Sequence, residues 1–285
     1  MIDVIIPCYN AHKTLSRTLD SIVKQTIKDQ LNILLVDDCS DEDYNSFVEK
    51  YKDKINISTY RLKKNSGPGI AREEALKVTN GKYITFIDSD DRFTTETALE
   101  YLYNAIEEGY DLVKSVEYIQ KLRGKYIING NLHGKIYRRE YLEKADIHFN
   151  SSRFHEDNFF TNLVMVSGAR TLNISKVTYY YTYNKKSITN ADPEEINRLE
   201  ILLQNYDELL SIFKKRKYDK TKMVPVLRKK NKYLRALYFK SNDEGKERIK
   251  EIVYKYDKTA YSLLGLNYYY FIKNLSKYLN DFLNQ

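Results

Sequence analysis

The feature that most constrains the fold is a series of four short predicted strands, with helical patterns between them. The strands lie at residues 3–6, 33–36, 55–62 and 83–87. Between the first two, apolar residues recur at spacings of three and four, as in Leu15, Leu19 and Ile22, which predicts an amphipathic helix. Continuous β-branched strands that alternate with helices are typical of a parallel sheet covered on both faces. The first part of the chain is therefore predicted to be an α/β fold.

Acidic residues directly follow two of these predicted strands. Asp37 and Asp38 follow the second strand, and Asp88, Asp90 and Asp91 follow the fourth. The carboxyl ends of parallel strands line one crevice, where ligands bind. Five carboxylates in one crevice repel each other, so we expect a cation, and oxygen ligands suit Mg²⁺ or Mn²⁺. An isolated aspartate pair is more often a cap or turn, but two clusters at two strand ends favour a cation site.

A glycine-rich turn at residues 65–69 precedes a predicted helix that carries Arg72. The turn has neither the dinucleotide-binding nor the P-loop pattern, because no Gly-Lys pair in the chain is followed by Ser or Thr. NAD-dependent oxidoreductases and P-loop NTPases are therefore disfavoured. The backbone at Gly67 and Gly69 remains a candidate for close approach to a diphosphate, with Arg72 pairing with its charge.

Four segments, in this order and spacing, resemble glycosyltransferase family 2. They lie at residues 4–10, 36–41, 65–72 and 88–91. The resemblance covers most of the first two thirds of the chain. It implies a GT-A fold, which is a Rossmann-like, mixed and mainly parallel sheet flanked by helices, and a mostly inverting, metal-dependent transfer of sugar from a nucleotide diphosphate. Two departures are small: Cys39 replaces a usual glycine, and Glu73 replaces the asparagine that often follows the arginine.

The resemblance implies a role for each motif residue. The segment at residues 7–9 and Asp37 would hold the base and ribose, with Asp37 accepting a hydrogen bond from N3–H of uracil, so a UDP-sugar is the expected donor. Asp88 would contact the ribose and, with Asp90, bind the Mn²⁺ or Mg²⁺ that stabilises charge on the departing UDP. Asp91 would support the site or contact donor-sugar hydroxyls. The other expected donor-binding residues are Pro7, Tyr9, Asn10, Asp38, Asn65, Gly67, Arg72, Ser89, Lys186 and Ser187.

An inverting transfer also needs a base that takes the proton of the acceptor hydroxyl. The segment at residues 155–160 resembles the family's Glu-Asp motif at the start of a helix. This resemblance implies that Asp157 is the base and that Glu156 orients it or binds the acceptor. Without the four upstream segments, the preference of a helix N-terminus for negative charge would be the favoured explanation of the two acids.

The sequence gives weaker evidence of a role in the site for several other polar residues. Lys135 is interpreted as lining the site or as a solvated surface lysine. Lys186 and Ser187 lie in a segment that resembles a loop closing over the diphosphate. No ligand role is predicted for three histidines, which stand alone in the sequence: His12, His133 and His148.

Positive charge is concentrated in the last third of the chain. Residues 201–285 carry 19 Lys and Arg against 9 Asp and Glu, a local charge of +10, and the other 200 residues have a charge of −2. The pattern from residue 194 is helical, which predicts a catalytic domain at residues 1–193 and a basic, tyrosine-rich helical domain at residues 194–285. A solvated surface, an anionic membrane and an anionic polymer each remain open as the reason for this charge. Lipid-linked acceptors in the family give the membrane interpretation a purpose, and nucleic acid ranks last because no nucleic-acid motif is present.

Composition excludes two further classes of protein, the multi-span membrane proteins and the secreted disulfide scaffolds. The 42% hydrophobic content supports a folded core, and the longest uncharged run near the end, residues 259–272, is shorter than the ~20 residues that span a bilayer. The N-terminus has no basic leader before an apolar stretch, and Cys8 and Cys39 form no disulfide framework. We therefore expect a cytoplasmic protein with reduced thiols, peripheral at most to the inner face of the membrane. The abundance of Lys, Asn, Ile and Tyr hints at a bacterium of low GC content.

The leading hypothesis is a metal-dependent, inverting glycosyltransferase. It would move a hexose or N-acetylhexosamine from a UDP-sugar to a glycan, glycoprotein or lipid-linked acceptor. One alternative is a nucleotidyltransferase that makes sugar nucleotides, which usually needs a Gly-x-Gly-x-Arg type loop where residues 7–10 lie. The other is an inactive relative that binds glycan or a partner protein, which predicts degenerate carboxylates, whereas every expected one is present.

Overall fold

The computed structural model describes residues 1–119, 125–127, 132–183 and 195–284. The chain divides into two compact units. The first comprises Met1–Thr161 and Ala169–Ser187, and the second comprises Asn162–Gly168 and Ile188–Gln285. The predicted domain boundary after residue 193 lies outside the described residues. Across the described part of the chain, no helix has the length and apolar content needed to cross a bilayer.

Among the described residues, nine strands form one mixed sheet in the first unit. The strands are β1 (Ile2–Cys8), β2 (Leu31–Asp37), β3 (Asn56–Arg61), β4 (Tyr83–Phe86), β5 (Arg92–Phe93), β6 (Leu112–Ile119), β7 (Lys125–Ile127), β8 (Lys135–Arg138) and β9 (Thr171–Tyr181). Their order is β3-β2-β1-β4-β8-β6-β9-β5, and β7 pairs with β6. The first four strands in this order are parallel, whereas β8 is antiparallel to β4 and β6. The predicted mixed α/β fold is confirmed.

Helices connect the strands of the first unit. They are α1 (His12–Val23), α2 (Asn45–Tyr51), α3 (Pro68–Val78), α4 (Ala98–Glu107) and α5 (Arg139–Lys144). Helix α6 (Glu156–Val166) begins in the first unit and ends in the second. Helix α1 follows the predicted spacing, and its buried residues include Leu15, Leu19 and Ile22.

The motifs that follow β2 and β4 lie at one edge of the sheet, because β1 and β2 end opposite each other and β4 ends two residues before Asp88. Cys8 pairs with Asp37 across β1 and β2, and Ile5 pairs with Phe86 across β1 and β4. Asp37 and Asp88 therefore lie at the carboxyl edge of the sheet, as the strand pattern predicts. Every residue of β1 is buried, as expected for a strand covered on both faces.

Near the opposite edge, a buried ion pair joins several elements. The Asp3 carboxylate accepts hydrogen bonds from Nη2 of Arg139 at 2.7 Å, from the Gly81 N–H at 2.7 Å and from the Asn32 amide at 2.9 Å. Arg139 also donates to the carbonyls of Gly81 and Leu76, at 2.7 and 3.0 Å. Burial of a charge is costly unless it is paired and hydrogen-bonded, and these contacts satisfy both groups while tying β1 and β2 to α3 and α5.

The second unit is helical, which confirms the predicted C-terminal helical addition. Its helices are α7 (Leu199–Arg216), α8 (Lys220–Lys240), α9 (Asp243–Tyr256), α10 (Lys258–Leu263) and α11 (Tyr268–Asn284). The side chains of Asp219, Asn242 and Asp257 cap α8, α9 and α10 by accepting from backbone N–H groups. Asp257 also forms an ion pair with the buried Lys230.

Candidate active site

The loop after β1 is held in place by polar side chains. Asn10 has a φ of 49°, in the left-handed region that asparagine tolerates better than most residues. Its N–H donates to Oγ of Ser40 at 3.0 Å, and its side chain exchanges two hydrogen bonds with Asp41. Pro7 is buried within β1, and the Tyr9 side chain is 50% exposed. Of the predicted base-binding segment, Tyr9 is therefore the side chain that solvent reaches.

Asp37 is fully buried and already has a cationic partner. Its Oδ2 lies 2.5 Å from Nη1 of Arg61, and its Oδ1 accepts from the Ser40 N–H at 2.8 Å. Arg61 also donates to the Ser40 carbonyl at 2.6 Å. No sequence pattern marks Arg61, because a lysine or arginine at the end of a strand is common on protein surfaces.

Asp38 fixes the glycine-rich turn. Its two carboxylate oxygens accept from the N–H groups of Ser66 and Gly67, each at 2.7 Å. Burial raises the pKa of Asp38, although these two hydrogen bonds oppose the rise. Gly67 has a φ of 89°, a conformation that L side chains rarely adopt. Asn65, in the same turn, accepts a long 3.4 Å hydrogen bond from Arg153.

Cys39 follows Asp38 and has a φ of 61°. The resemblance predicts a glycine at this position, and the backbone conformation is one that glycine adopts at no steric cost. The departure in sequence therefore places a side chain in a left-handed conformation.

Arg72 joins the two groups of predicted site residues. It is 3% exposed, and its guanidinium lies 2.7 Å from Oδ1 of Asp88 and 3.0 Å from Oε1 of Glu156. Asp88 follows β4, whereas Glu156 begins α6. One buried cation thus brings the strand-end acids and the helix-start acids, which are far apart in sequence, into a single cluster.

His133 is a second cation at this cluster. Its Nε2 lies 3.1 Å from Oδ2 of Asp88, and its ring stacks on Tyr179 with centroids 5.0 Å apart. Burial lowers the pKa of His133, but the carboxylates of Asp88, Asp91 and Glu117 together outweigh burial and raise that pKa to about 9. Burial likewise opposes ionisation of Asp88, while His133 and Arg72 hold its pKa well below the usual range. No motif spacing marks His133 in the sequence, so no ligand role was predicted for it.

Asp91 is a buried support for the end of β4. It accepts from the Tyr179 hydroxyl at 2.5 Å and from the Thr182 N–H at 2.7 Å. Burial, followed by the nearby Asp88 carboxylate, raises the pKa of Asp91 to about 8. Asp91 is 1% exposed, and its expected role, to support the site or contact donor-sugar hydroxyls, stays a prediction.

The turn between Asp88 and Asp91 is held by α1. The Thr18 hydroxyl lies 3.0 and 2.7 Å from the carbonyl oxygens of Ser89 and Asp91, and Nη2 of Arg17 lies 2.5 Å from the Asp90 carbonyl. Ser89 and Asp90 are both partly exposed. These backbone contacts fix the turn, so the position of the Asp90 carboxylate depends on α1 as well as on β4.

Glu156 and Asp157 differ in environment although they are adjacent. Glu156 is 7% exposed, and burial, together with the neighbouring Asp157, raises its pKa to about 7 despite the opposing effect of Arg72. Asp157 is partly exposed, and its Oδ1 accepts from the Asn158 N–H at 2.7 Å. A Cβ on Gly69 would stand 2.6 Å from Cγ of Glu156, so glycine at this position leaves the room that Glu156 occupies.

Lys135 is buried, with 2% exposure, so its interpretation as a solvated surface lysine is wrong. Its Nζ donates to the His133 carbonyl at 3.0 Å and lies 3.8 Å from Oε1 of Glu117. Lys135 thus supports the segment that carries His133. Lys186 and Ser187 lie outside the described residues.

The acidic cluster fits a cation whose ligands include substrate phosphates as well as carboxylates. No group of three or more His, Cys, Asp or Glu residues in the described ranges could hold a metal ion by itself. Asp88 contacts Arg72 and His133, and Asp90 is partly exposed on the same turn. This donor set fits Mg²⁺ or Mn²⁺ bound through one or two carboxylates and completed by substrate phosphates.

A sheet whose parallel half ends in acidic residues beside a glycine turn has the layout in which open α/β sheets bind ligands. The model of Glycosyl transferase family 2 matches residues 3–155. That match covers more than half of the chain, and the chain belongs to this family.

Individual curated proteins are also similar to this chain in sequence. Poly(ribitol-phosphate) beta-N-acetylglucosaminyltransferase TarS of Staphylococcus aureus is 29% identical over 244 residues, which are 70% of this chain and 43% of that protein. The chain thus spans less than half the length of this curated relative.

Solved structures share the fold. The crystal structure of S. aureus TarS 1–349 in complex with UDP-GlcNAc aligns with a TM-score of 0.64 and 22% identity, over 99% of this chain and 90% of that one. A mannosyltransferase from Pyrobaculum calidifontis in complex with GDP-Man and Mn²⁺ aligns with a TM-score of 0.63 and 16% identity, over 99% and 85% of the two chains. The predicted GT-A fold is confirmed by this likeness.

Proposed function

We propose that the chain is an inverting glycosyltransferase that moves a hexose or N-acetylhexosamine from a UDP-sugar to a cell-surface glycan. The observation that carries the proposal is the Arg72 bridge, at 2.7 Å to Asp88 and 3.0 Å to Glu156. Donor-side and acceptor-side acids in one cluster are what a transfer between two bound sugars requires, because both reactants must be held together.

The donor nucleotide is assigned to the crevice beside β1 and β2. The exposed Tyr9 ring is a surface for the base, and Asp37 accepts from N3–H of uracil. Each carboxylate oxygen has two acceptor positions, so Asp37 retains capacity beyond its bonds to Arg61 and the Ser40 N–H. The UDP-GlcNAc complex of TarS supports uracil as the base.

The diphosphate is assigned to the turn at Asp88–Asp90 and to the N-terminus of α3. Asp90 would hold a divalent cation, with Asp88 as a further ligand, and the cation would stabilise negative charge on the departing UDP. The Mn²⁺ in the mannosyltransferase structure supports this assignment. Within the chain, Arg72 and His133 keep Asp88 ionised and oriented.

Asp157 is assigned as the base. Its carboxylate takes the proton of the acceptor hydroxyl while that oxygen attacks the anomeric carbon, and the bond from the anomeric carbon to the diphosphate oxygen breaks. Glu156 is held by Arg72 and is buried, so its assigned role is to orient the start of α6. The partial exposure of Asp157 supports its access to an acceptor.

The acceptor is assigned by class only. A relative is named for poly(ribitol phosphate), and we extend to this chain the class of cell-surface glycans, with glycoprotein and lipid-linked glycans as the alternatives. We assign the reaction to the cytoplasm and to residues 1–193, in line with the sequence-based expectations.

The test uses the full chain with Mn²⁺ and a panel of UDP-GlcNAc, UDP-glucose, UDP-galactose and GDP-mannose. A UDP-sugar should raise the melting temperature and be slowly hydrolysed, whereas GDP-mannose should do neither. Asp157→Asn should retain the thermal stabilisation and lose about 100-fold or more in turnover. Glu140→Gln, an exposed acid, is the matched control. Stabilisation by no nucleotide sugar would refute the function, and full turnover of Asp157→Asn would move the base to Glu156 or elsewhere.

A further inference from the structure

Helix α8 carries positive charge only. Its 21 residues include no aspartate or glutamate. Its eight basic residues are Lys220, Lys222, Arg228, Lys229, Lys230, Lys232, Arg235 and Lys240. Helices in soluble proteins commonly mix both signs, which stabilises them through pairs three or four residues apart, so a helix of this composition gives up that stabilisation.

The charge at the middle of α8 faces solvent. Arg228, Lys229 and Lys232 are all exposed, and none of the three takes part in an ion pair within the described residues. Arg228 and Lys232 are four residues apart and lie on the same side of the helix. This cationic surface is therefore not neutralised by the helix itself.

The neighbouring helix α9 provides a contrast. Lys246 and Lys250 lie 2.9 and 2.6 Å from Asp243 and Glu247, one turn earlier on the same helix, and Lys255 lies 2.7 Å from Glu200. These lysines are also in the second unit, but each has an acidic partner. The three exposed cations of α8 thus differ from these paired lysines of the same unit.

An exposed aromatic ring completes the surface. Phe239 is 49% exposed and lies seven residues after Lys232, two turns further along the same side of α8. The Arg235 guanidinium lies 4.5 Å from the centre of this ring. We define the α8 face as Arg228, Lys229, Lys232 and Phe239. It combines cations with an apolar ring, and transfer of such a ring out of water is favourable.

We propose that the α8 face docks on an anionic lipid bilayer surface. Each Lys or Arg near acidic headgroups is attracted by the surface potential, and an aromatic ring beside the cations enters the headgroup region, where rings of this kind are favoured. A soluble polyanion would satisfy the three cations and leave Phe239 in water. The ring therefore favours a bilayer over a polymer, and the docking lies outside the transfer reaction proposed above.

The test is co-sedimentation of the full chain with vesicles. Phosphatidylcholine vesicles that contain about 30% phosphatidylglycerol should bind the protein, and pure phosphatidylcholine vesicles should not, since the surface potential comes from the anionic lipid. Binding should be strong at about 50 mM NaCl and weak at about 500 mM, where the Debye length is short. Equal sedimentation with both kinds of vesicle would overturn the proposal.

Two charge-matched variants locate the surface. Arg228→Gln, Lys229→Gln and Lys232→Gln together should weaken vesicle binding on the order of 100-fold, about fivefold for each charge. Lys246→Gln, Lys250→Gln and Lys255→Gln remove the same charge from paired lysines and should weaken binding much less. Equal losses in the two variants, at unchanged melting temperature, would overturn the assignment to α8.

The aromatic ring separates a bilayer from a polymer. Phe239→Ser should weaken binding to anionic vesicles and leave retention on immobilised heparin unchanged, because heparin offers no apolar region. A Phe239→Ser protein that binds vesicles as well as the parent chain would overturn the bilayer assignment and identify the α8 face as a polyanion surface.

Discussion

At the scale of single residues, the site depends on buried cations that pair with acids. Arg72 is 3% exposed and has two carboxylate partners from different parts of the chain. Removal of one member of a buried ion pair leaves an uncompensated charge, which costs much more than loss of an exposed pair. Arg72 therefore stabilises the folded protein and also aligns the two acidic motifs.

Arg72→Lys tests this dual role. Lysine keeps the charge but lacks the planar guanidinium that reaches both carboxylates. We therefore expect the loss of one hydrogen bond to a carboxylate, roughly 2 kcal/mol in unfolding free energy, and a loss of turnover of about tenfold or more. Denaturant unfolding and UDP release measure the two effects. Lys82→Gln, which breaks the exposed pair with Glu107, should change both very little. A stable and fully active Arg72→Lys protein would contradict the bridge.

Replacement of Cys39 by glycine should raise the unfolding free energy, whereas the Arg72 variant should lower it. A left-handed conformation costs a non-glycine residue roughly 1 kcal/mol, and Cys39 has a φ of 61°. Cys39→Gly removes this strain, although glycine gains entropy in the unfolded chain, so the net change should be between zero and about 1 kcal/mol of added stability. Cys39→Val should destabilise the protein. Thermal unfolding of the three proteins would contradict the account if glycine were the least stable.

Single-residue chemistry was only partly predictable from sequence. The acidic residues could be found because they follow apolar runs, and the order of motifs assigned them roles. Their cationic partners could not be found, since Arg61 lies 24 residues from Asp37 and Arg72 lies 84 residues from Glu156. No local pattern specifies which of many basic residues folds back onto a given carboxylate, and His133 was missed for the same reason.

At the scale of secondary-structure elements, the ion pair of Asp3 and Arg139 holds the sheet to its helices. The two side chains connect β1, β2, α3 and α5 near the edge of the sheet opposite to the candidate site. Asp3 is fully buried, so its role is structural and provides a comparison for the site carboxylates.

Asp3→Asn should separate stability from binding. The change leaves the buried Arg139 charge without its carboxylate, so we expect a loss of roughly 3–5 kcal/mol in unfolding free energy. UDP affinity of the folded protein at low temperature should be unchanged, because no site residue contacts Asp3 directly in the described part of the chain. Denaturant titration and calorimetric titration measure the two quantities. Weak UDP binding by a folded Asp3→Asn protein would contradict this division.

The elements themselves were unequally predictable. Strands β1, β2 and β4 appear as mainly apolar runs, whereas β3 is largely polar. Helix α1, between β1 and β2, follows the three- and four-residue spacing. Strand β8 lies between β4 and β6 in the sheet and is antiparallel to both. Its four residues, Lys-Ile-Tyr-Arg, are too few and too polar to show a strand period. The mixed half of the sheet therefore depends on long-range pairing that local patterns do not encode.

At the scale of the whole molecule, the buried Glu156 makes stability depend on pH. The pKa of Glu156 rises from 4.5 to about 7 on folding. As pH rises from 4.5 to about 7, the unfolded chain releases this proton while the folded chain retains it, so this group's contribution to stability is lost across that window. A change of this size corresponds to about 3 kcal/mol at most.

Glu156→Gln should flatten this part of the pH profile. The amide cannot ionise, so the variant should lose less stability than the parent chain between pH 4.5 and 7, the interval given by the ordinary and folded pKa of Glu156. Denaturant unfolding at several pH values measures the difference. Glu140→Gln, which removes an exposed acid, should retain the parent's profile. Parallel profiles for the parent and Glu156→Gln would contradict the raised pKa.

The most direct test of the central claim is calorimetric titration of UDP into the full chain, with Mn²⁺ and with a chelator. Since Asp90 is assigned to a cation that joins the protein to the diphosphate, UDP should bind with Mn²⁺ and not with the chelator. Asp90→Asn should weaken the Mn²⁺-dependent affinity about tenfold or more. UDP binding of equal strength in the parent chain and in Asp90→Asn, or binding indifferent to the chelator, would contradict the account.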